Sequence, residues 1–392
     1  MIEALIILLT ATSWVYWMIA CWWTREFFLT PQPINHSYTP PVSILKPVRG
    51  IDPFAYDNFV TFCRQDYPDY EILFGVAEAD DPVIPLIKCL QNQFPERSIR
   101  LVITPPLGFN RKVGILHALA GEAQYETLVI SDSDMRVTPD YLRRVTSPLS
   151  DAQVGMVTCP YRGELPLTLT ARLEALHMNV TFLPSVMVAR RFLTMSFALG
   201  ASVALRKRDL ARMGSFAAIA DYLADDYQLG ARISALGLRV QLSDYVMAAV
   251  LGATTFREQW DREIRWARCT RVSRPLEYPG LLLSFSTPLA LLLLLITGFT
   301  LVGVLMLLGS LLIRWVVGWL VTGYIGDKSL RRWLVWLPIR DCLSALVWCA
   351  GGLGNRVKWR GERFGLSRDG RLKTLTAQSN HAFEEPSDQA VR

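Results

Sequence analysis

Leu128-Val129-Ile130-Ser131-Asp132-Ser133-Asp134 is the stretch on which the fold turns. Three apolar residues lead straight into two carboxylates spaced two apart. A short apolar run bounded by turn residues reads as a strand buried on both faces, as parallel sheets require. The same kind of run recurs upstream at residues 42–45, 72–76 and 99–103. The spacing of roughly 30 residues suits βαβ units. Helices are expected between the runs, over 82–93 and 112–119. This pattern predicts an α/β domain with a mainly parallel sheet and its ligands at the C-terminal strand ends. The sequence has neither G-x-G-x-x-G nor G-x-x-x-x-G-K-[ST], so a diphosphate must be held without those cradles.

The carboxylates of the opening stretch are the first candidates to do so. At extended geometry residues i and i+2 point the same way, so Asp132 and Asp134 present both side chains together. They can hold Mg²⁺ or Mn²⁺ through oxygen and leave positions for phosphate oxygens and water. Such a cation neutralises a departing diphosphate. A D-x-D also arises in solvated turns; its place after an apolar strand favours the metal reading. Asp225-Asp226 is a second acidic pair. Adjacent carboxylates diverge, so one can face a cleft while the other faces water. A carboxyl near apolar walls and a second negative charge has a raised pKa, which suits a general base. The same pair would also complement a helix dipole at its N-terminus. Asp80-Asp81-Pro82 reads either as a helix start with Pro at its first position or as a contact to a nucleotide. In Arg262-Glu263-Ile264-Arg265-Trp266, Arg262 and Arg265 share a helix face. Their guanidinium forks match phosphate oxygens and Trp266 can stack on a ring, or the helix lies against lipid headgroups.

Composition places these groups beside a membrane. The 392 residues are 51% hydrophobic, with mean hydropathy +0.24. That balance suits a soluble domain joined to a few membrane helices. The net charge of +6 comes with arginines crowded around the C-terminal apolar segments. It points to lipid headgroups and a diphosphate rather than nucleic acid. The seven cysteines form no C-x-x-C and have no histidine at ligand spacing. They fit reduced thiols in a cytoplasmic domain rather than a zinc site or a disulfide framework. The four scattered histidines give no support to a Ser-His-Asp catalyst.

Residues 4–23 are an apolar run long enough to span a bilayer, flanked by Trp22, Trp23 and Arg25. Glu3 and the missing small-x-small site argue against a cleaved signal peptide. Residues 281–325 read as a helical hairpin turning at Gly309-Ser310. Arginines 262–274 precede it, and Asp327, Lys328, Arg331 and Arg332 follow it, which puts both flanks in the cytoplasm. Residues 333–353 contain Pro338, Arg340 and Asp341. Charges at the centre of a span are costly, so an interfacial or re-entrant segment is expected, with a third span as the alternative. The expected order is an N-terminal anchor (1–24), a cytoplasmic catalytic domain ending in the R-x-x-R-W helix (25–277), a transmembrane hairpin (278–326), an interfacial or third membrane segment with a basic tail (327–376), and a disordered tail (377–392).

Taken in order, the motifs are Val42-Ser43-Ile44-Leu45-Lys46-Pro47 with Gly50, Asp80-Asp81-Pro82, Asn110-Arg111-Lys112, Ser131-Asp132-Ser133-Asp134, Ala224-Asp225-Asp226-Tyr227, Arg262-x-x-Arg265-Trp266 and Val357-Lys358-Trp359-Arg360-Gly361. On these the chain resembles the ceramide glucosyltransferase family, the inverting, GT-A-fold glycosyltransferases of family 21. The resemblance runs from the N-terminal anchor to about Gly365. It implies a UDP-sugar donor, a membrane lipid acceptor and a divalent cation. It also implies that Asp81 sits at the nucleotide, Asp132 and Asp134 hold the ribose and the metal–diphosphate, and Asp226 is the general base. Arg262, Arg265 and Trp266 would close over the donor, which Lys112 also approaches. Some eukaryotic members carry D-S-G in place of Asp132-Ser133-Asp134.

Stretches 62–68, 161–163 and 183–185 are similar to the bacterial hopanoid-associated members. That branch implies transfer of N-acetylglucosamine to a hopanoid such as bacteriohopanetetrol, at the bacterial inner membrane with the catalytic domain facing the cytoplasm. These stretches favour the hopanoid branch as the main reading; the alternative branch implies transfer of glucose to ceramide. Two other enzyme classes share some of these groups. A phosphoglycosyl transferase would release UMP instead of UDP. A processive polysaccharide synthase shares R-x-x-R-W but needs more membrane helices to enclose a polymer. A transporter would bury its polar residues within paired spans, whereas these carboxylates lie in the soluble region.

Overall fold

The computed structural model describes residues 1–105, 107–193, 195–359 and 362–374; the expected polar tail at 377–392 lies outside them. Ten strands build the catalytic domain: β1 (Val42–Pro47), β2 (Tyr70–Val76), β3 (Ser98–Ile103), β4 (Thr127–Ser131), β5 (Met135–Arg136), β6 (Val154–Thr158), β7 (Tyr161–Pro166), β8 (Ser202–Arg206), β9 (Arg239–Leu242) and β10 (Met247–Gly252). Seven form one sheet in the order β3-β2-β1-β4-β8-β6-β9. β1 pairs in parallel with both β2 and β4, and β2 with β3. These four are the apolar runs expected from the sequence. The helices Ala55–Cys63, Ile84–Gln93 and Arg111–Glu122 connect them. β8 runs antiparallel to its neighbours β4 and β6, and β6 is parallel to β9.

Every residue of β1, β2, β4, β6 and β8 is buried. One face packs on Phe59, Phe62 and Ile87, the other on Leu116, Leu119 and Phe216. Burial on both faces is why these strands read as unbroken apolar runs rather than alternating ones. A second sheet, β5-β10-β7, sits at the end of β4. Residues 356–359 and 362–374, expected within a basic tail, instead form a three-stranded sheet of β11 (Arg356–Trp359), β12 (Glu362–Leu366) and β13 (Leu372–Thr374). Its buried side chains Val357, Phe364, Leu366 and Leu372 cluster on Leu223 of the catalytic domain.

Three helices are long and apolar enough to cross a membrane: Ile2–Leu29, Leu301–Tyr324 and Lys328–Gly352. A fourth candidate is the pair Tyr278–Ser284 and Ser286–Ile296, bent by 73°. Gly309 and Ser310 do not turn the chain, as the sequence suggested, but lie inside Leu301–Tyr324. Both serve packing against the N-terminal helix. The Trp14 indole N–H donates to Ser310 Oγ at 2.8 Å. A Cβ on Gly309 would stand 2.7 Å from the Trp14 ring. Small residues let membrane helices approach in this way. The turn falls at 297–300, where Gly298 and Phe299 take φ of 62° and 65°.

The charges that made 333–353 doubtful as a span are paired. The Arg314 guanidinium meets both Asp341 carboxylate oxygens, at 2.8 and 2.9 Å, and lies 3.7 Å from the Trp17 ring centroid. Arg340 pairs with Glu263 at 2.7 Å. Both ends of Lys328–Gly352 also bond to the catalytic domain. Asn179 donates to Asp327 at 2.9 Å, and Arg271 donates to the Gly352 carbonyl at 2.6 Å.

Candidate active site

One cleft of about 1020 Å³ opens at the C-terminal ends of β1 and β4. The helix Phe256–Ser273 and the β11–β12 hairpin line its other side. Asp132, Asp134, Lys112, Asp226, Arg262, Arg265 and Trp266 all line it. The fold thus brings together residues spread across 155 positions of sequence. Asp81 is the exception among the candidates. Its carboxylate accepts the Gly50 N–H at 3.0 Å and the Val83 N–H at 3.0 Å. It fixes the loop after β1, where Gly50 needs φ of 68°; the helix itself starts at Ile84 with Val83 at its cap and no side-chain cap bond, so Pro82 is not its first residue and Asp81 braces the loop ahead of it.

Asp132 and Asp134 sit differently from the extended pair expected. β4 ends at Ser131, and residues 132–134 form a turn into β5. The Met135 N–H reaches the Asp132 carbonyl at 3.4 Å, and Ser133 Oγ donates to the Asp52 carboxylate. Beneath the turn lies Lys46, fully buried. Its ammonium donates to the Asp132 carbonyl at 2.9 Å and sits 3.6 Å from the Phe62 ring centroid. Burial pulls Lys46 down to about 7, against the pull of Asp132.

Lys112 joins the two acidic pairs. It is the second residue of Arg111–Glu122, a helix capped by the Asn110 side chain, which accepts from Val113 N–H. Its ammonium is 2.6 Å from Asp132 and 3.5 Å from Asp225. Burial would lower its pKa, but Asp132 and Asp225 outweigh that and raise it. Asp225 and Asp226 open the helix Asp225–Ala235. They diverge as adjacent residues must: Asp225 faces Lys112, while Asp226 lies against Gly200, where a Cβ would stand 3.1 Å from its oxygen. Burial, then the charge of Asp225, pushes the Asp226 carboxyl up to about 6.

The helix Phe256–Ser273 begins with a capping box between Thr255 and Glu258. Its two cleft arginines differ. Arg262 is held by Glu174 at 2.6 Å. Arg265 lies 5.6 Å from the Trp359 ring centroid and has no carboxylate partner among the described residues. Burial lowers its pKa. An arginine facing a cleft without a counter-ion is suited to a phosphate.

The donor set fits a divalent cation. Among the described residues the Asp134 carboxylate takes no hydrogen bond from another side chain, and burial with the charges of Asp132 and Asp52 pushes it up to about 7. No group of three His, Cys, Asp or Glu at metal-binding spacing occurs among the described residues. Two protein carboxylates with open positions for phosphate and water is the usual arrangement for Mg²⁺.

Sequence reasoning assigned no role to Lys46, Asp52 or Glu174. Lys46 carried a signal: a lysine inside the apolar strand Val42–Pro47 must find a buried partner. Glu174 carried none, since its partner is 88 residues away.

This fold and cleft are those of a GT-A glycosyltransferase with membrane helices at both ends. The chain belongs to glycosyl transferase family 21, whose sequence model matches residues 5–372. It is similar to two proteins of Caenorhabditis elegans. Ceramide glucosyltransferase 3 is 24% identical over 356 residues, covering 86% of this chain and 75% of that protein. Ceramide glucosyltransferase 1 is 24% identical over 372 residues, covering 89% and 77%. Among solved structures, the mannosyltransferase PcManGT from Pyrobaculum calidifontis, in complex with GDP-Man and Mn²⁺, shares the fold. Its TM-score is 0.55 at 18% identity, over 90% of this chain and 98% of that one.

Proposed function

We propose that this enzyme transfers a sugar from a UDP-sugar to a hydroxyl of a membrane lipid, with inversion, and that glucose and ceramide are the pair its similar proteins favour. The observation that carries the reading is the continuity of the cleft. One end holds the carboxylates, Lys112 and Arg265; the other is walled by Leu281, Phe285, Val347 and Trp348 from the apolar segments. A lipid hydroxyl can therefore meet a nucleotide-sugar without leaving the bilayer surface. The arginines flanking the apolar helices support a catalytic domain that faces the cytoplasm; a bacterial inner membrane belongs to the hopanoid branch. The bonds from both ends of this segment to the catalytic domain support the interfacial reading of residues 333–353 over a third span.

In the proposed reaction Asp226 takes the proton of the acceptor hydroxyl, whose oxygen attacks the anomeric carbon as UDP departs. A carboxyl at about 6 is deprotonated at neutral pH and still basic enough for that task. Arg265 meets the diphosphate, and Arg262 and Trp266 pack beside it. Asp132 and Asp134 would hold a divalent cation, which supplies charge neutralisation at the leaving diphosphate when bound. Lys46 and Lys112 fix the turn and the carboxylates that face the donor. Asp81 acts through the Gly50 loop.

The test is a transfer assay on detergent-purified enzyme. UDP-glucose and UDP-N-acetylglucosamine are each offered with ceramide and with bacteriohopanetetrol, with and without a chelator, and the lipid product is read by mass spectrometry. A chelator-sensitive hexosylceramide is expected. The similar proteins lend no support to the hopanoid branch, and an N-acetylhexosaminyl hopanoid would restore it. No lipid-linked sugar from any pair, with UDP still bound, would refute a lipid acceptor of either kind.

A further inference from the structure

Arg340 has more donors than partners. It lies in the helix Leu337–Gly352 and is 1% exposed. Its Nη2 is held by Glu263 at 2.7 Å. Its Nε and Nη1 are buried and find no partner among the described residues. Buried donors left unmet are costly, and native structures keep few of them. Arg340 lines the cleft, one and two helical turns from Ser344 and Val347 at the membrane end. Arg262 repeats the arrangement: one nitrogen is held by Glu174, and its Nε is unmet. His177 also lines this cleft with its Nδ1 unmet. Burial and the charge of Arg340 hold it down to about 3, so it is neutral.

Charge separates this end from the donor end. At this end Arg340 is neutralised by the nearly buried Glu263, whereas Arg265 at the donor end has no carboxylate partner among the described residues. The membrane end is rich in N–H groups yet charge-balanced, so it suits neutral oxygen acceptors better than a phosphate. We infer that Arg340, held in place by Glu263, binds the polar head of the lipid acceptor through its hydroxyl or amide oxygens and sets the preference for an uncharged headgroup. This rests on the lipid-acceptor reading above.

The test uses full-length enzyme in mixed micelles, with short-chain ceramide as the probe and polyprenyl phosphate as its anionic counterpart. Arg340→Lys keeps a cation opposite Glu263 but removes the unmet Nε and Nη1 donors. The double variant R340M/E263Q removes both charges together and guards against misfolding of the first. The expected result is a KM for ceramide raised about tenfold or more, as loss of a charged hydrogen bond predicts. The KM for UDP-glucose, UDP affinity by calorimetry and unfolding temperature stay at wild-type values. An unchanged ceramide KM in a folded variant would overturn the inference. So would a parallel loss of UDP affinity, or preferential use of polyprenyl phosphate by the wild type. If wild-type enzyme binds UDP but glycosylates neither lipid, the underlying function fails first, and the two failures remain distinct.

Discussion

Replacing Asp226 by asparagine exchanges one side-chain oxygen for an amide and leaves the shape intact. The remaining oxygen can still accept the Tyr227 N–H, now at 2.7 Å. What changes is the charge. Burial and Asp225 hold the carboxyl at about 6, against an ordinary value near 4, and each pH unit corresponds to about 1.4 kcal/mol. Ionising Asp226 in the folded protein therefore costs about 3 kcal/mol. The folded state binds this proton more tightly than the unfolded chain does. Stability consequently falls as pH rises from about 4 through about 6, and the full cost applies above. Asp226→Asn removes that cost at neutral pH and nothing at about pH 4. Its unfolding temperature in detergent should rise by several degrees at neutral pH and converge with wild type in acid. Transfer should move the other way: loss of a general base lowers kcat by about 10² to 10⁴, with UDP binding retained. Wild-type activity should itself decline as pH falls through about 6. A variant with kcat within tenfold of wild type, or one less stable at neutral pH, would refute the assignment.

Arg265→Gln should weaken UDP binding about tenfold or more by calorimetry while leaving the unfolding temperature alone, because a charge-assisted bond to phosphate is lost and no protein ion pair is broken. Lys112→Met removes a cation that lowers Asp226, so the acid limb of the pH–rate profile should move above its wild-type midpoint; an unmoved limb would count against their coupling. Arg314→Leu leaves Asp341 buried with only Thr287 as a donor. A loss of about 3–5 kcal/mol is expected, most of it regained in R314L/D341L, as read by thermal unfolding. Gly309→Val should cost about 1–3 kcal/mol by overpacking against Trp14; wild-type stability would show that the helices do not touch there.

The parallel half of the sheet is legible because strands buried on both faces leave long apolar runs at even spacing. β6, β8 and β9 escape that reading: β7 and the helices between Leu169 and Phe192 interrupt the spacing, and the sheet turns antiparallel there. The site was legible as residue types but less so as geometry. Asp132 and Asp134 both face the cleft, yet through a turn that depends on Lys46 and Asp52, residues 80 or more positions away. Asp81 reads equally well as a cap or a ligand contact, and only the position of Gly50 shows where its oxygens point. The charges Arg340 and Asp341 looked prohibitive because their partners, Glu263 and Arg314, are matched by folding and not by spacing. Residues 356–374 looked like a basic tail because their four buried side chains are outnumbered by the charged residues between them.

The bond between Trp14 and Ser310 has a consequence for biogenesis. Its partners are 296 residues apart, with the whole catalytic domain made between them. At roughly 5–20 residues per second, the first helix waits about 15–60 s after synthesis before Ser310 exists. During that interval its indole N–H and the Gly309-shaped face have no mate in the nascent chain. The anchor must therefore be inserted and kept from other helices before its own scaffold is made, so the last hundred residues complete a membrane domain whose first piece was laid down at the start.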